Sequence, residues 1–332
     1  MISSALGATG KDGAGWPLAT TRCVCNILTM QWLLFAILGP LSWAISTHID
    51  KYLVDKYFHD SDTAVLIVFT AVVAVFALPI IWLFEPRVLS LPLSAIAVMT
   101  VSGILYMGAM LFYLRALQSE EASAVAPFFQ LSTIFTLLLA YVFLRERLGL
   151  QQLSGIVLIV AGTLTVSGSG GAIMQRFNVR LLCLMAGATF IVALSAVLFK
   201  YFAVEDSFWG TTFWTFVGEG IFGAAIVLIP GYYRQFVSLF KHSPGGVIGI
   251  NAANELINLG GGLGVRFASL LAPVALVSAV SSTTTLFVFA FGVLLTLFFP
   301  KFGREDLTAR NLLRKGAAAV LVTAGVMLAD GQ

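Results

Sequence analysis

From residue 30 onward the chain repeats one pattern: a continuously apolar run, then a short polar or charged break. A helix rising about 1.5 Å per residue needs about 20 apolar residues to cross a hydrocarbon core about 30 Å thick. The breaks define about ten runs of that kind, at 31–54, 63–83, 91–117, 122–144, 151–167, 181–204, 208–229, 246–268, 270–299 and 312–328, here segments 1 to 10. None alternates with period two, which disfavours a closed β-barrel, whose strands face lipid and lumen in turn. The pattern predicts an all-α integral membrane protein with ten transmembrane helices. Residues 1–29 fall outside it. They are small, polar and rich in Gly, Ala and Thr, and read either as a disordered tail or as sequence upstream of a true start at Met30, the preferred reading. No apolar stretch precedes a small-residue cleavage site, so they do not resemble a secretory signal.

Segment 8 differs from its neighbours, because Asn251, Asn254, Glu255 and Asn258 stand near its middle. Their spacing of i, i+3, i+4 and i+7 puts them on one helix face. A carboxylate at membrane depth costs roughly 2.5 kcal/mol or more, so such residues face a bundle interior or a water-filled cavity. The four are candidates to line a substrate or coupling-ion cavity. Gly260, Gly261, Gly262 and Gly264 follow, and their missing side chains predict close helix contact or local unwinding. The segment reads as a site with a hinge beside it.

Composition sharpens the picture. The 332 residues are 59% hydrophobic and 11% charged, against roughly 25% charged in a soluble domain. Mean hydropathy is +0.95. The net charge of +3 says little about partners beyond the bilayer, and no nucleic-acid partner is expected. Cys23, Cys25 and Cys183 make no sensible disulfide framework.

A Gly- and Ser-rich linker at 169–180 separates a first unit at 30–168 from a second at 181–332. At an offset of 149 residues, Ala44, Ser46, Lys51 and Tyr52 fall on Ala193, Ser195, Lys200 and Tyr201. At an offset of 151, Arg115, Ser132 and Thr133 fall on Arg266, Thr283 and Thr284. Each unit reads as five helices, and an odd number obliges the second copy to sit inverted, a recurrent plan of secondary transporters.

The stretch 113–166 carries Arg115-Ala116-Leu117, Phe135, Glu146-Arg147-Leu148, Gly155 and Gly162. It resembles the EamA domain of the drug/metabolite transporter superfamily, with an RAL-like end to helix 3, a helix 4 ending in Glu-Arg-Leu and a Gly-bearing helix 5. The resemblance implies a ten-helix carrier or exporter of small metabolites whose cavity is lined mainly by helices 1, 3, 4, 6, 8 and 9. Trp43, Tyr106, Gln130, Thr133, Ser281 and Thr284 then join the segment 8 residues as candidate cavity residues. Two departures matter: Thr133 stands where the family often has proline, and the second unit carries the longer connection FPKFGREDLTARN in place of Glu-Arg-Leu.

Each candidate also has a plainer reading. Glu255 is either a functional carboxylate or one hydrogen-bonded to Asn251 or Asn258 for packing. Glu219, among glycines and apolar residues, is either a proton site or a helix-packing group. Lys51 and Lys200 are expected to snorkel to the interface, and Glu146 to pair with a neighbouring arginine. Trp43, Tyr106 and Tyr113 read as core aromatics or as part of a cage. The hydroxyls of 281–285 can bond backbone carbonyls of their own helix.

An intramembrane enzyme would need a nucleophile with its base or clustered metal ligands. His48, His59 and His242 are not at ligand spacing, and no GxSxG or HExxH string is present. A non-transporting scaffold would not require a buried carboxylate among asparagines. The reading is therefore a secondary transporter in the cell (inner) membrane, neither an enzyme nor a cofactor protein, that exports a small polar or amphipathic metabolite by alternating access around a central cavity. Coupling is either to protons through Glu255 or absent. Orientation stays open: placing the N-terminus inside assigns Arg87, Arg145, Arg147, Lys200 and Arg266 to inside loops and more basic residues to outside loops, against the positive-inside rule, whereas the family resemblance puts both termini in the cytoplasm.

Overall fold

A computed structural model describes residues 18–57, 63–119, 130–167, 179–242, 245–298 and 308–330. Among them the chain forms α1 (Leu18–Tyr57), α2 (Thr63–Phe84), a 3-10 turn (Pro86–Ser90), α3 (Leu93–Ser119), α4 (Gln130–Leu139) continued by a π turn (Ala140–Leu144), and α5 (Leu150–Ser167). Then follow α6 (Val179–Glu205), α7 (Phe208–Val227), α8 (Pro230–His242), α9 (Gly245–Leu271), α10 (Val274–Ser281), α11 (Thr284–Phe298) and α12 (Ala309–Asp330).

The stretches Gln31–Asp50, Ile67–Phe84, Leu93–Tyr113, Cys183–Glu205 and Val274–Phe298 are each long and apolar enough to cross a membrane. Shorter apolar helices cover Leu131–Leu144, Leu150–Thr165 and Gly316–Ala329. α9 has the length but carries the polar face. Large apolar side chains such as Phe76, Phe84, Leu93, Leu150 and Val157 are exposed, as lipid-facing residues of a multi-pass protein are.

Lipid is as apolar as leucine, so helices in a bilayer gain from close packing of small residues. A side chain on Gly103 of α3 would run into the Thr215 carbonyl of α7, and one on Gly218 into the Thr100 carbonyl of α3. Between α1 and α9, a Cβ on Gly261 would lie 2.6 Å from that of Ser42, and one on Gly264 3.1 Å from that of Leu38. Gly261 and Gly264 therefore make the close contact, Gly260 and Gly262 meet nothing within 4 Å, and α9 stays helical through the run rather than unwinding.

Segment 9 departs from the expected single helix. Pro273 separates α10 from α9, and Ser282 and Thr283 form a turn before α11. The hydroxyls compete for the carbonyls around it: Ser281 Oγ donates to Val277 O (2.9 Å), Ser282 Oγ to Ala279 O (2.6 Å) and Thr284 Oγ1 to Ser281 O (2.8 Å). α10 is buried along most of its length, with Trp32, Ala36, Ile156, Ile159 and Val322 in the same core.

α8 is an element that the apolar pattern does not reveal. Its sequence, PGYYRQFVSLFKH, mixes polar and aromatic residues at helical spacing, and Pro230 suits a first helical position. It bends 96° away from α7 and packs Tyr232 and Phe236 onto Ile67, Val68 and Met107. The mixed sequence and this one-sided packing are those of an amphipathic helix.

Candidate functional site

Five helices contribute to one buried polar layer. α1 supplies Asp50, α2 Thr70, α3 Tyr106, α7 Glu219, and α9 Asn251, Asn254, Glu255, Asn258 and Arg266. Asn254 Nδ2 donates to Asp50 Oδ1 at 2.7 Å, and Ser46 Oγ, one turn back on α1, donates to Asp50 Oδ2 at 3.3 Å. The Glu255 carboxyl hydrogen-bonds with Thr70 and Asn258 and lies close enough to Asp50 for the two charges to repel. Asn251, Asn254 and Glu255 are 2%, 0% and 8% exposed, so the predicted polar face does point inward. Two of its atoms, Asn251 Nδ2 and Asn254 Oδ1, are buried without a hydrogen-bond partner.

Glu219 does not stand among apolar groups alone. Arg266 Nη2 reaches its Oε1 at 3.2 Å, and the guanidinium carbon lies 5.3 Å and 5.0 Å from the ring centroids of Phe199 and Phe216. Arg266, expected in a loop, is thus inside α9. Delocalised charge and weak hydration suit arginine to such a stacked, buried pair. Tyr106 interacts electrostatically with Glu219, Arg266 and Glu255, and Tyr113 with Asp50.

The other candidates fall elsewhere. Thr133 of α4, fully buried, donates to Ser278 O at 3.4 Å, and Ser278 Oγ donates to Thr133 Oγ1 at 3.4 Å. Ser281 and Thr284 bond to their own backbone, and half-buried Trp43 lies beside Gly39. The side chain of Gln130 lies outside the described residues.

A second charged centre ties α4, α6 and α10 together. Arg145 adopts a left-handed conformation (φ 53°) that ends the π turn, and Glu146 follows it. Glu146 Oε1 lies 2.6 Å from Lys200 Nζ, Glu146 Oε2 accepts from the Val274 amide at 3.0 Å, and Lys200 Nζ donates to Ala272 O at 2.6 Å. Glu146 therefore pairs with Lys200 rather than an arginine, and Lys200 turns inward instead of snorkelling. A carboxylate at the start of α10 is also favoured by the partial positive charge there.

Sequence reasoning passed over Asp50 and the role of Arg266. Both had a signal: Asp50 sits four residues after Ser46, and an intramembrane Glu219 calls for a cation, which Arg266 at the end of segment 8 supplies.

Apolar helices packed around a layer of ionisable side chains define a multi-pass membrane protein. Residues 30–168 match the model of the EamA-like transporter family, which belongs to the drug/metabolite transporter superfamily. That family consists of transporters. A solved structure described as "Crystal structure of protein" is similar in fold, with a TM-score of 0.62 and 16% identity, covering 92% of this chain and 96% of that one. No curated protein sequence matches the chain.

Proposed function

We propose that the chain is a ten-helix secondary transporter of the cell (inner) membrane, built as two inverted five-helix units that rock about the buried polar layer, and that it exports a small polar or amphipathic metabolite. The observation that carries this reading is the Asn254–Asp50 hydrogen bond at 2.7 Å, which joins an ionisable group of the first unit to a buried amide of the second. A layer of that kind, costly to bury, is expected where a solute or ion must pass.

Packing between α5 and α12 supports the inverted plan. VLIVAGTLTVSG at 157–168 and VLVTAGVMLADG at 320–331 align at an offset of 163, pairing Gly155 with Ala318, Ile159 with Val322 and Gly162 with Gly325. The contacts exchange under the same pairing: Gly155 meets Gly325 while Gly162 meets Ala318, and Gly162 meets Val322 while Gly325 meets Ile159. Contact positions rise along one helix as they fall along the other, so the pair is antiparallel. A twofold axis exchanging two antiparallel membrane helices lies in the membrane plane, as inversion requires.

In this reading Asn251, Asn254, Glu255 and Asn258 line the solute path, together with Trp43, Tyr106, Gln130, Thr133, Ser281 and Thr284. Glu255 is the coupling proton site and Glu219 the second candidate. Counterflow of a metabolite panel in reconstituted vesicles tests the function: trans-stimulated, saturable exchange of at least one solute is expected, and its absence across the panel counts against transport. Reporter fusions at Met30 and Gln332 should report the same side of the membrane, and opposite sides would break the ten-helix plan.

A further inference from the structure

Among the described residues the polar layer holds three carboxylates, Asp50, Glu219 and Glu255, against one guanidinium, that of Arg266, which is committed to Glu219 at 3.2 Å and to the faces of Phe199 and Phe216. The partners of Asp50 are the Ser46 hydroxyl and the Asn254 amide, both neutral. Those of Glu255, Thr70 and Asn258, are neutral too, and the charges of Asp50 and Glu219 both repel it. A buried carboxylate and a half-buried one that repel each other, with no cation on either among the described residues, are unfavourable as they stand.

The Asn254 amide adds an independent sign of a missing occupant. Its nitrogen is held on Asp50, while its oxygen is fully buried and without a donor. A proton alone does not complete this arrangement. Turning the amide over, to accept from protonated Asp50, would move the vacancy from its oxygen to its nitrogen. What fits is a positively charged group with several N–H donors.

We propose that Asp50, Asn254 and Glu255 form the seat of a protonated organic amine, the cationic end of the transported molecule. An ammonium has three donors and no acceptor, which suits two carboxylates and one amide oxygen. The unpartnered Asn251 Nδ2, one turn away on α9, is left to donate to an oxygen of the same molecule. This inference rests on the transporter reading, because it names the class of the solute.

The test uses the full chain, purified in sodium-free detergent buffer and reconstituted in vesicles. The probes are a set of primary amines (butylamine, putrescine, ethanolamine and phenethylamine), tetramethylammonium, neutral 2-phenylethanol, anionic 3-phenylpropionate and sodium chloride. At least one primary amine should raise the melting temperature saturably, with tetramethylammonium, the alcohol and the anion far weaker. Asp50→Asn should weaken amine binding roughly thirtyfold or more, the range for removing one partner of a buried charged hydrogen bond. Asn254→Leu should weaken it about tenfold while keeping both carboxylates, and it carries the test if Asp50→Asn does not fold. Equal stabilisation by the alcohol or the anion overturns the proposal, as does amine binding unchanged in both variants, stabilisation by sodium in place of every amine, or binding of none of the amines. Vesicle exchange separates the two claims: exchange of neutral or anionic solutes without amine binding sinks the amine seat alone, whereas amine binding at Asp50 with no exchange of any solute sinks the transporter reading and leaves the seat standing.

Discussion

Two interior centres, each built around carboxylates, treat charge in opposite ways. At Glu146 both oxygens are used, one by Lys200 at 2.6 Å and the other by the Val274 amide at 3.0 Å, and Lys200 also reaches Ala272 O. Around Asp50 and Glu255 every direct partner among the described residues is neutral, and the Asn254 amide oxygen has no donor among them. The first centre is complete and joins helix ends, as a structural tie does. The second is incomplete, and a buried polar group without a partner costs about 1–3 kcal/mol, so its persistence points to an occupant. Burial alone would not have separated them; the tally of donors and acceptors does.

The largest effect is expected from opening the complete centre. Lys200→Met leaves half-buried Glu146 beside α10 with its charge uncompensated, and the cost should approach the roughly 3–5 kcal/mol of breaking a buried pair. The detergent melting temperature should fall sharply, and the double replacement Lys200→Met with Glu146→Gln should recover a good part of the loss. A single variant that melts like the wild type would mean that the pair is not a structural tie.

The incomplete centre should respond in function and not in stability. Glu255→Gln keeps the shape and hydrogen bonding of a protonated Glu but cannot titrate, so proton-gradient-driven flux should drop at least about tenfold, roughly 1.4 kcal/mol. Melting should change little, because a repelling charge near Asp50 is removed. Flux and pH dependence like those of the wild type would make Glu255 structural and pass the coupling role to Glu219 or to no residue.

How far the sequence reveals these centres follows from the range of the signals it carries. The apolar runs mark the helices because membrane thickness sets their length. The face of Asn251, Asn254 and Glu255 is readable because helical spacing is local. Partners distant in sequence are not readable in the same way: Glu146 to Lys200, Glu219 to Arg266 and Asp50 to Asn254 are set by which helices pack together. Tyr232 and Phe236 signal α8 only to a reader looking for an amphipathic helix, since its average is too polar for a span. The division at Ser282 and Thr283 is a contest between side-chain and backbone hydrogen bonds, which the run of hydroxyls announces without deciding.

Arg266→Lys probes whether the Glu219 pair belongs with the complete or the incomplete centre. Lysine keeps the charge but loses the planar stacking on Phe199 and Phe216, and its ammonium is more strongly hydrated. A loss of about 1–2 kcal/mol in melting with flux retained would mark the pair as structural. Retained stability with flux lost would put it on the solute path.

The smallest effect is expected at Thr133, and its direction decides whether α4 contributes more than packing. Thr133 is fully buried, and its hydrogen bonds with Ser278, at 3.4 Å each, are near the long end of useful geometry. Thr133→Val keeps the branched shape and removes one hydroxyl. Ser278 can turn its own hydroxyl to a carbonyl one turn back on α10, as Ser281 does with Val277. The stability loss should therefore stay within about 1 kcal/mol, the net worth of an ordinary hydrogen bond. If the hydroxyl also meets the solute in another state of the cycle, KM for the exchanged solute rises severalfold while melting hardly moves. If it only packs α4 on α10, both stay near wild type. Measuring counterflow KM and melting on the same preparation separates the outcomes, and a stability loss well above 1 kcal/mol would mean that the Thr133–Ser278 contact belongs with the complete centre at Glu146 as a tie between helices.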